Sequence, residues 1–83
     1  MIEYVVQITL LAENLTYDFY VPESMQIGVL SQLCGQAFAK LTNGRYIPTP
    51  HPILYDQTSG IILDPNMIVH QTSVRNGSKL LLY

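Results

Sequence analysis

The sequence predicts an α+β fold, a mixed sheet of four to five strands with one helix packed across it. Three observations carry this reading. Two runs near the start alternate apolar and polar residues, and residues 27–41 repeat apolar side chains at helical spacing. Near the end, Asn76-Gly77 feeds a short apolar strand that runs to Tyr83.

Over residues 3–12, Tyr4, Val6, Ile8 and Leu10 share one face while Gln7 and Thr9 share the other, as in a strand with one buried side. Glu13-Asn14 supplies turn chemistry. From 16 to 21, Tyr17, Phe19 and Val21 alternate with Asp18 and Tyr20, so the two runs form a hairpin. Pro22 lacks the N–H that a ladder needs and ends the second strand.

Ser24 has the chemistry of a helix N-cap, which predicts a helix reaching Leu41. At helical steps, Ile27, Leu30, Leu33, Cys34, Ala37, Phe38 and Leu41 fall on one broad arc facing the core. Gln32, Gln36 and Lys40 lie opposite with Val29 beside them, and Gly28, Gly35 and Ala39 line one flank. Asn43-Gly44 closes the helix.

Pro48, Pro50 and Pro52 alternate with other residues and favour an extended backbone. Beside a sheet, they would strip the donors from one edge and discourage pairing there. Residues 53–55 read as a strand, 57–60 as a turn and 61–63 as a short return strand. Asp64-Pro65-Asn66 opens a loop or single helical turn carrying Met67, Ile68 and Val69. A right-handed crossover then sets the closing strand, residues 79–83, centrally and parallel to the first. Two packed layers bury both amphipathic elements. The expected organisation is one domain spanning residues 1–83.

Composition narrows the function. A chain of 83 residues, 48% hydrophobic and only 12% charged, has a thin core and leaves apolar surface exposed, which often marks a partner site. The net charge of −2 is scattered without a basic stripe, which disfavours nucleic acid. No apolar run reaches transmembrane length and no basic segment precedes the first apolar residues, so a soluble, unexported, cytoplasmic protein is expected. The one cysteine, Cys34, cannot form an internal disulfide, which fits a reducing compartment.

The order and spacing of these elements resemble the β-grasp, or ubiquitin-like, fold over residues 3–83. Ile27, Leu30 and Cys34 are similar to that family's buried helix face. Val69 and Val74 are similar to the two apolar plugs before its last strand, and Leu80 and Leu82 to the buried pair on it. Within the family the chain resembles the small bacterial YukD/EsaB type associated with type VII secretion. The likeness lies in a plug, an Asn-Gly turn and an apolar strand over residues 74–82, and in a chain that ends flush with that strand. The segment 48–52 has no counterpart in that pattern. Conjugation and sulfur transfer in this fold use a terminal Gly-Gly, so the ending on Tyr83 points to neither. The [2Fe–2S] members need four cysteine ligands.

Candidates for chemistry each have a plainer reading. Cys34 with His51 or His70 as base could make a nucleophile, but its place on the apolar arc suits a small core residue. His51 and His70 sit in loops and do not reach the three or four ligands of a metal site. Asp56 and Asp64 flank the short hairpin, where aspartates usually bond nearby backbone. Arg45, Arg75 and Lys79 could form a small basic patch, but three charges more often give only solubility. No cofactor is expected.

Three surfaces suit protein partners. By alternation from Ile53, Tyr55, Leu80 and Leu82, the outer sheet face presents Leu54, Leu81 and Tyr83, where ubiquitin-like domains dock. The outer helix face carries glutamines, with Gly28 and Gly35 allowing close approach. Tyr17, Phe19 and Val21 lie on a sheet edge open to strand addition or to a weak homodimer.

The expected function is a non-enzymatic, cytoplasmic accessory or regulatory component of a type VII secretion system. It would dock on the secretion machinery or a regulator without membrane insertion. The alternatives are a stand-alone ubiquitin-like adaptor unrelated to secretion and a small thiol-dependent enzyme using Cys34.

Overall fold

The computed structural model describes residues 2–83. Strands β1 (Glu3–Leu10) and β2 (Leu15–Pro22) form the expected hairpin, helix α1 spans Ile27–Leu41, and β3 (Leu54–Asp56) and β4 (Ile61–Ile62) form the short one. A 3-10 turn at Val69–Gln71 precedes β5 (Lys79–Leu82). The five-stranded sheet has the order β2-β1-β5-β3-β4, with β5 parallel to β1 and antiparallel to β3. The crossover rule thus places the closing strand centrally, as expected.

The core lies between the sheet and α1. Val6, Ile8, Leu10, Leu80 and Leu82 present one face of the central strands to Ile27, Leu30, Cys34 and Phe38 of the helix. Val69 and Val74 plug the open end, both fully buried. Phe38 anchors the hairpin side, with Phe19 and Tyr17 ring centroids 5.6 and 6.1 Å away. Such pairs add about 0.5–1.5 kcal/mol beyond area burial.

The helix begins differently from expectation. Its N-cap is Gln26 rather than Ser24, and no side chain caps it. Its orphan donors go to the crossover loop instead: Ile27 N–H donates to the Met67 carbonyl at 2.8 Å and Gly28 N–H to that of Pro65 at 2.9 Å. In return, Val69 and His70 donate to Met25 and Glu23. Gly28 permits this approach, since a Cβ there would stand 3.1 Å from the Pro65 oxygen. At the other end, Thr42 Oγ1 donates back to Phe38 and Gly44 turns through a positive φ, so Asn43-Gly44 does close the helix.

Two expectations about α1 are overturned. Leu33 and Leu41 are not core residues but half exposed, because the burial arc is centred on Ile27, Cys34 and Phe38 and takes in Ser31 and Gly35. The glycine flank is not free for a partner helix. Pro65 covers Gly28, and Pro48 lies 3.4 Å from where a Gly35 Cβ would sit. The proline segment therefore runs along the helix flank rather than guarding a sheet edge. It rejoins the sheet at Ile53, which exchanges two backbone hydrogen bonds with Tyr83.

Candidate docking surface

The outer face of the sheet is built by register. Tyr55 stands opposite Leu81 on β5 and opposite Ile62 on β4, and directly paired residues share a face. The hydrogen-bonded pair Ile53 and Tyr83 lies two residues along on the same side. Together they form an apolar patch in which Ile53, Ile62 and Tyr83 are 40%, 59% and 43% exposed and Tyr55 and Leu81 half-buried. Towards β2 the face turns polar through Thr9, Thr16, Gln7, Asp18 and Lys79.

Leu54 does not belong to this patch. It stands opposite Leu82 and is buried with it, so the expected phase of β3 is inverted. Residues 53–55 are apolar at every position, so alternation over them cannot set its own phase. Asp56, the last residue of β3, shares the buried face with Leu54 and is 1% exposed. It stays there because its carboxylate accepts from Ser73 Oγ at 2.6 Å and from Thr58 N–H at 3.0 Å. Burial pushes its pKa up, but the bonds from Ser73, Thr58 and Ser59 outweigh that and hold the carboxyl below its ordinary range. Leu81 and Tyr83 lie on the outer face as expected; Tyr55, Ile53 and Ile62 complete it.

The remaining candidates separate. Cys34 is buried, and burial pushes its thiol up to about 12, so at neutral pH it holds no thiolate to attack with. His51 is an exposed loop residue, whereas His70, expected in a loop, is an exposed residue of the 3-10 turn. Among the described residues, no three His, Cys, Asp or Glu side chains gather as a metal site. Asp64 caps its own turn through the Asn66 N–H. Arg45 pairs with Glu13, and Arg75 donates to the Thr72 and Val74 carbonyls, so no basic patch forms. Strand β2 does lie at the sheet edge, but Tyr17, Phe19 and Val21 turn their side chains inward, with Val21 fully buried. A cleft of about 320 Å³ lies between Ser31 of α1, the segment Pro50–Pro52 and Leu63. No helix among the described residues is long and apolar enough to cross a membrane.

This mixed five-stranded sheet grasping one helix is the β-grasp fold, the architecture of ubiquitin-like domains. The chain is similar to the EccD5 ubiquitin-like domain from Mycobacterium xenopi, at 18% identity and a TM-score of 0.70, over 100% of this chain and 94% of that one. It is similar to a chain of the MycP5-free ESX-5 inner membrane complex in State II, at 14% identity and a TM-score of 0.75. There the match covers 98% of this chain but only 20% of that one, so this chain spans a fifth of its length. A chain of the toluene 4-monooxygenase HD complex with 4-bromobenzoate superposes with a TM-score of 0.75 at 11% identity, over 98% of this chain and 96% of that one. At these identities the likeness is one of fold. No protein-family model matches the chain, and no curated protein matches its sequence.

Proposed function

We propose that this chain is a non-enzymatic docking module of a type VII secretion system, similar to the bacterial YukD/EsaB type and working in the cytoplasm as one domain. The observation that carries the reading is the likeness to the EccD5 ubiquitin-like domain along nearly the full length of both chains. The exposed apolar patch of Ile53, Tyr55, Ile62, Leu81 and Tyr83 supplies the means of docking, because desolvating such a surface drives association. The buried Cys34 thiol argues against the thiol-enzyme alternative. Deleting the gene and measuring export and expression of the small helical substrates tests the proposal. Reduced or misregulated export is expected; export and expression both unchanged would contradict it.

The superposition on a toluene 4-monooxygenase chain, whose TM-score of 0.75 equals that on the ESX-5 complex chain, supports a second reading, in which the same face seats the module inside a larger enzyme complex. Affinity purification from the native cell followed by mass spectrometry separates the two. Secretion ATPases or membrane components support the first, and oxygenase subunits the second.

A further inference from the structure

The cleft beside α1 owes two of its walls to the proline segment, for which the YukD/EsaB pattern has no counterpart. Leu54 and Leu63, 1% and 5% exposed, line it from the core side, and Pro50, Pro52 and Pro65 line its flanks. Its shape does not wait for an occupant. Pro48 packs on Gly35, Ile53 exchanges two hydrogen bonds with Tyr83, and the proline rings restrict the backbone between them. A site ordered in advance costs less to fill.

The lining defines the chemistry of what fits. No Asp, Glu, Lys or Arg lines the cleft, so the group it takes is uncharged and mostly apolar. A volume of about 320 Å³ stands at the small end of ligand pockets, with room for one ring system. Proline rings pack on aromatic faces, as in the grooves that recognise proline-rich segments. One buried polar atom completes the lining. Ser31, 3% exposed, donates its hydroxyl to the Gly28 carbonyl at 2.9 Å and accepts from nothing among the described residues. A ring N–H satisfies that oxygen. Indole brings a donor and no acceptor, whereas a phenol would also bury an oxygen with no donor to meet it.

Two observations point to a protein as the source of the ring. Ile53 and Ile62 belong both to the cleft and to the outer apolar patch, so a partner covering the patch reaches the mouth of the cleft. The backbone of residues 47–52 makes no hydrogen bond to other backbone among the described residues. Its donors and acceptors are left for the main chain that carries the ring.

We propose that the cleft seats a tryptophan side chain of the partner that docks on the outer patch, with the indole N–H donating to Ser31 Oγ. The source of the tryptophan rests on the docking role proposed above; the selectivity of the cleft does not, and it is tested without the partner.

The probes are N-acetyl-tryptophanamide and its benzothienylalanine counterpart, in which sulfur replaces the ring N–H, titrated into the protein and read by NMR. Saturable shifts are expected at the Ser31, Gln32, Ile53 and Leu63 amides, with Tyr20 at the far side of the sheet unmoved. The indole compound should bind about fivefold more tightly, the size of one net hydrogen bond. S31A, which places a good helix former in α1, should stay folded and bind the two compounds equally. The absence of saturable shifts at the cleft amides in millimolar indole compound overturns the proposal. Equal binding of both compounds by wild type, or a preference that survives in S31A, overturns it too. Saturable shifts confined to Tyr55 and Leu81 assign the ring to the outer patch instead. Free indole binding more tightly than the amide also overturns it, assigning the cleft to a small molecule. Each of these outcomes leaves the export test of the outer patch untouched.

Discussion

Ser73 Oγ donates a 2.6 Å hydrogen bond to the Asp56 carboxylate and so ties the end of β3 to the loop entering β5. The same carboxylate accepts the Thr58 N–H and starts the β3–β4 turn. One buried charge thus organises two connections, and it is tolerated because donors surround it. Hydrogen bonds to a charged group contribute about 1.5–3 kcal/mol each, so D56A is expected to lose at least about 2 kcal/mol in urea denaturation, with S73A losing less.

The pH dependence of that cluster has a definite sign. The folded carboxyl sits below its unfolded value, so its stabilisation is fully present above the ordinary aspartate pKa of about 3.9 and fades as pH falls through the lower folded value. Denaturation of wild type and D56N between neutral pH and strong acid should show the gap between them narrowing in that window. A gap independent of pH would contradict the assignment.

Two helix glycines are expected to respond in opposite directions. A Cβ at Gly28 would stand 3.1 Å from the Pro65 carbonyl, a backbone atom that also accepts the Gly28 N–H. G28A should therefore cost about 1–3 kcal/mol through overpacking. At Gly35 the neighbour is Pro48 at an ordinary 3.4 Å, so G35A should gain about 0.5–1 kcal/mol from helix propensity. Thermal denaturation of the two variants checks the sign of each.

Asn76-Gly77 does more than turn the chain. The Asn76 side chain accepts the Val5 N–H at 2.8 Å, and Gly77 N–H donates to the Val5 carbonyl, so the turn extends the β1–β5 pairing beyond the strand. N76A should cost about 1 kcal/mol. G77A, forced to a φ of 88°, should cost about 1–3 kcal/mol. Chemical denaturation measures both.

The Cys34 thiol should resist a thiol reagent in the folded protein and react only as the chain unfolds, because it is buried and neutral. Labelling followed over increasing urea should track the unfolding transition. Rapid labelling in native buffer would contradict the buried assignment and reopen the thiol chemistry.

The frame of this fold was legible because its signals are redundant. The alternation of β1 and β2 runs over enough residues to fix its own phase, and Leu80 and Leu82 share a central strand whose place follows from crossover handedness. The plugs Val69 and Val74, both fully buried, were legible only through the likeness to the β-grasp pattern, since Val69 follows two further apolar residues, Met67 and Ile68. The docking face was read in part. Three consecutive apolar residues gave β3 no phase, and the burial of Asp56 at its end depends on a serine 17 positions away. The helix start was hidden for a similar reason, since its cap is the backbone of Pro65 and Met67 rather than a local side chain. Leu33 and Leu41 were misplaced because periodicity gives an arc but not its centre, which packing against Pro48 and Pro65 decides.

Docking of the outer sheet face on a protein of the secretion machinery, as proposed above, can be tested directly. Ile53 and Tyr83 are its exposed, mutually hydrogen-bonded pair, and their side chains lie outside the core, so the double substitution I53E/Y83E should leave the fold intact by circular dichroism. The direct measurement is export of the small helical substrates from a deletion strain carrying either wild type or this variant. The expected result is that wild type restores normal export and the folded variant does not; full restoration by the folded variant would contradict the claim.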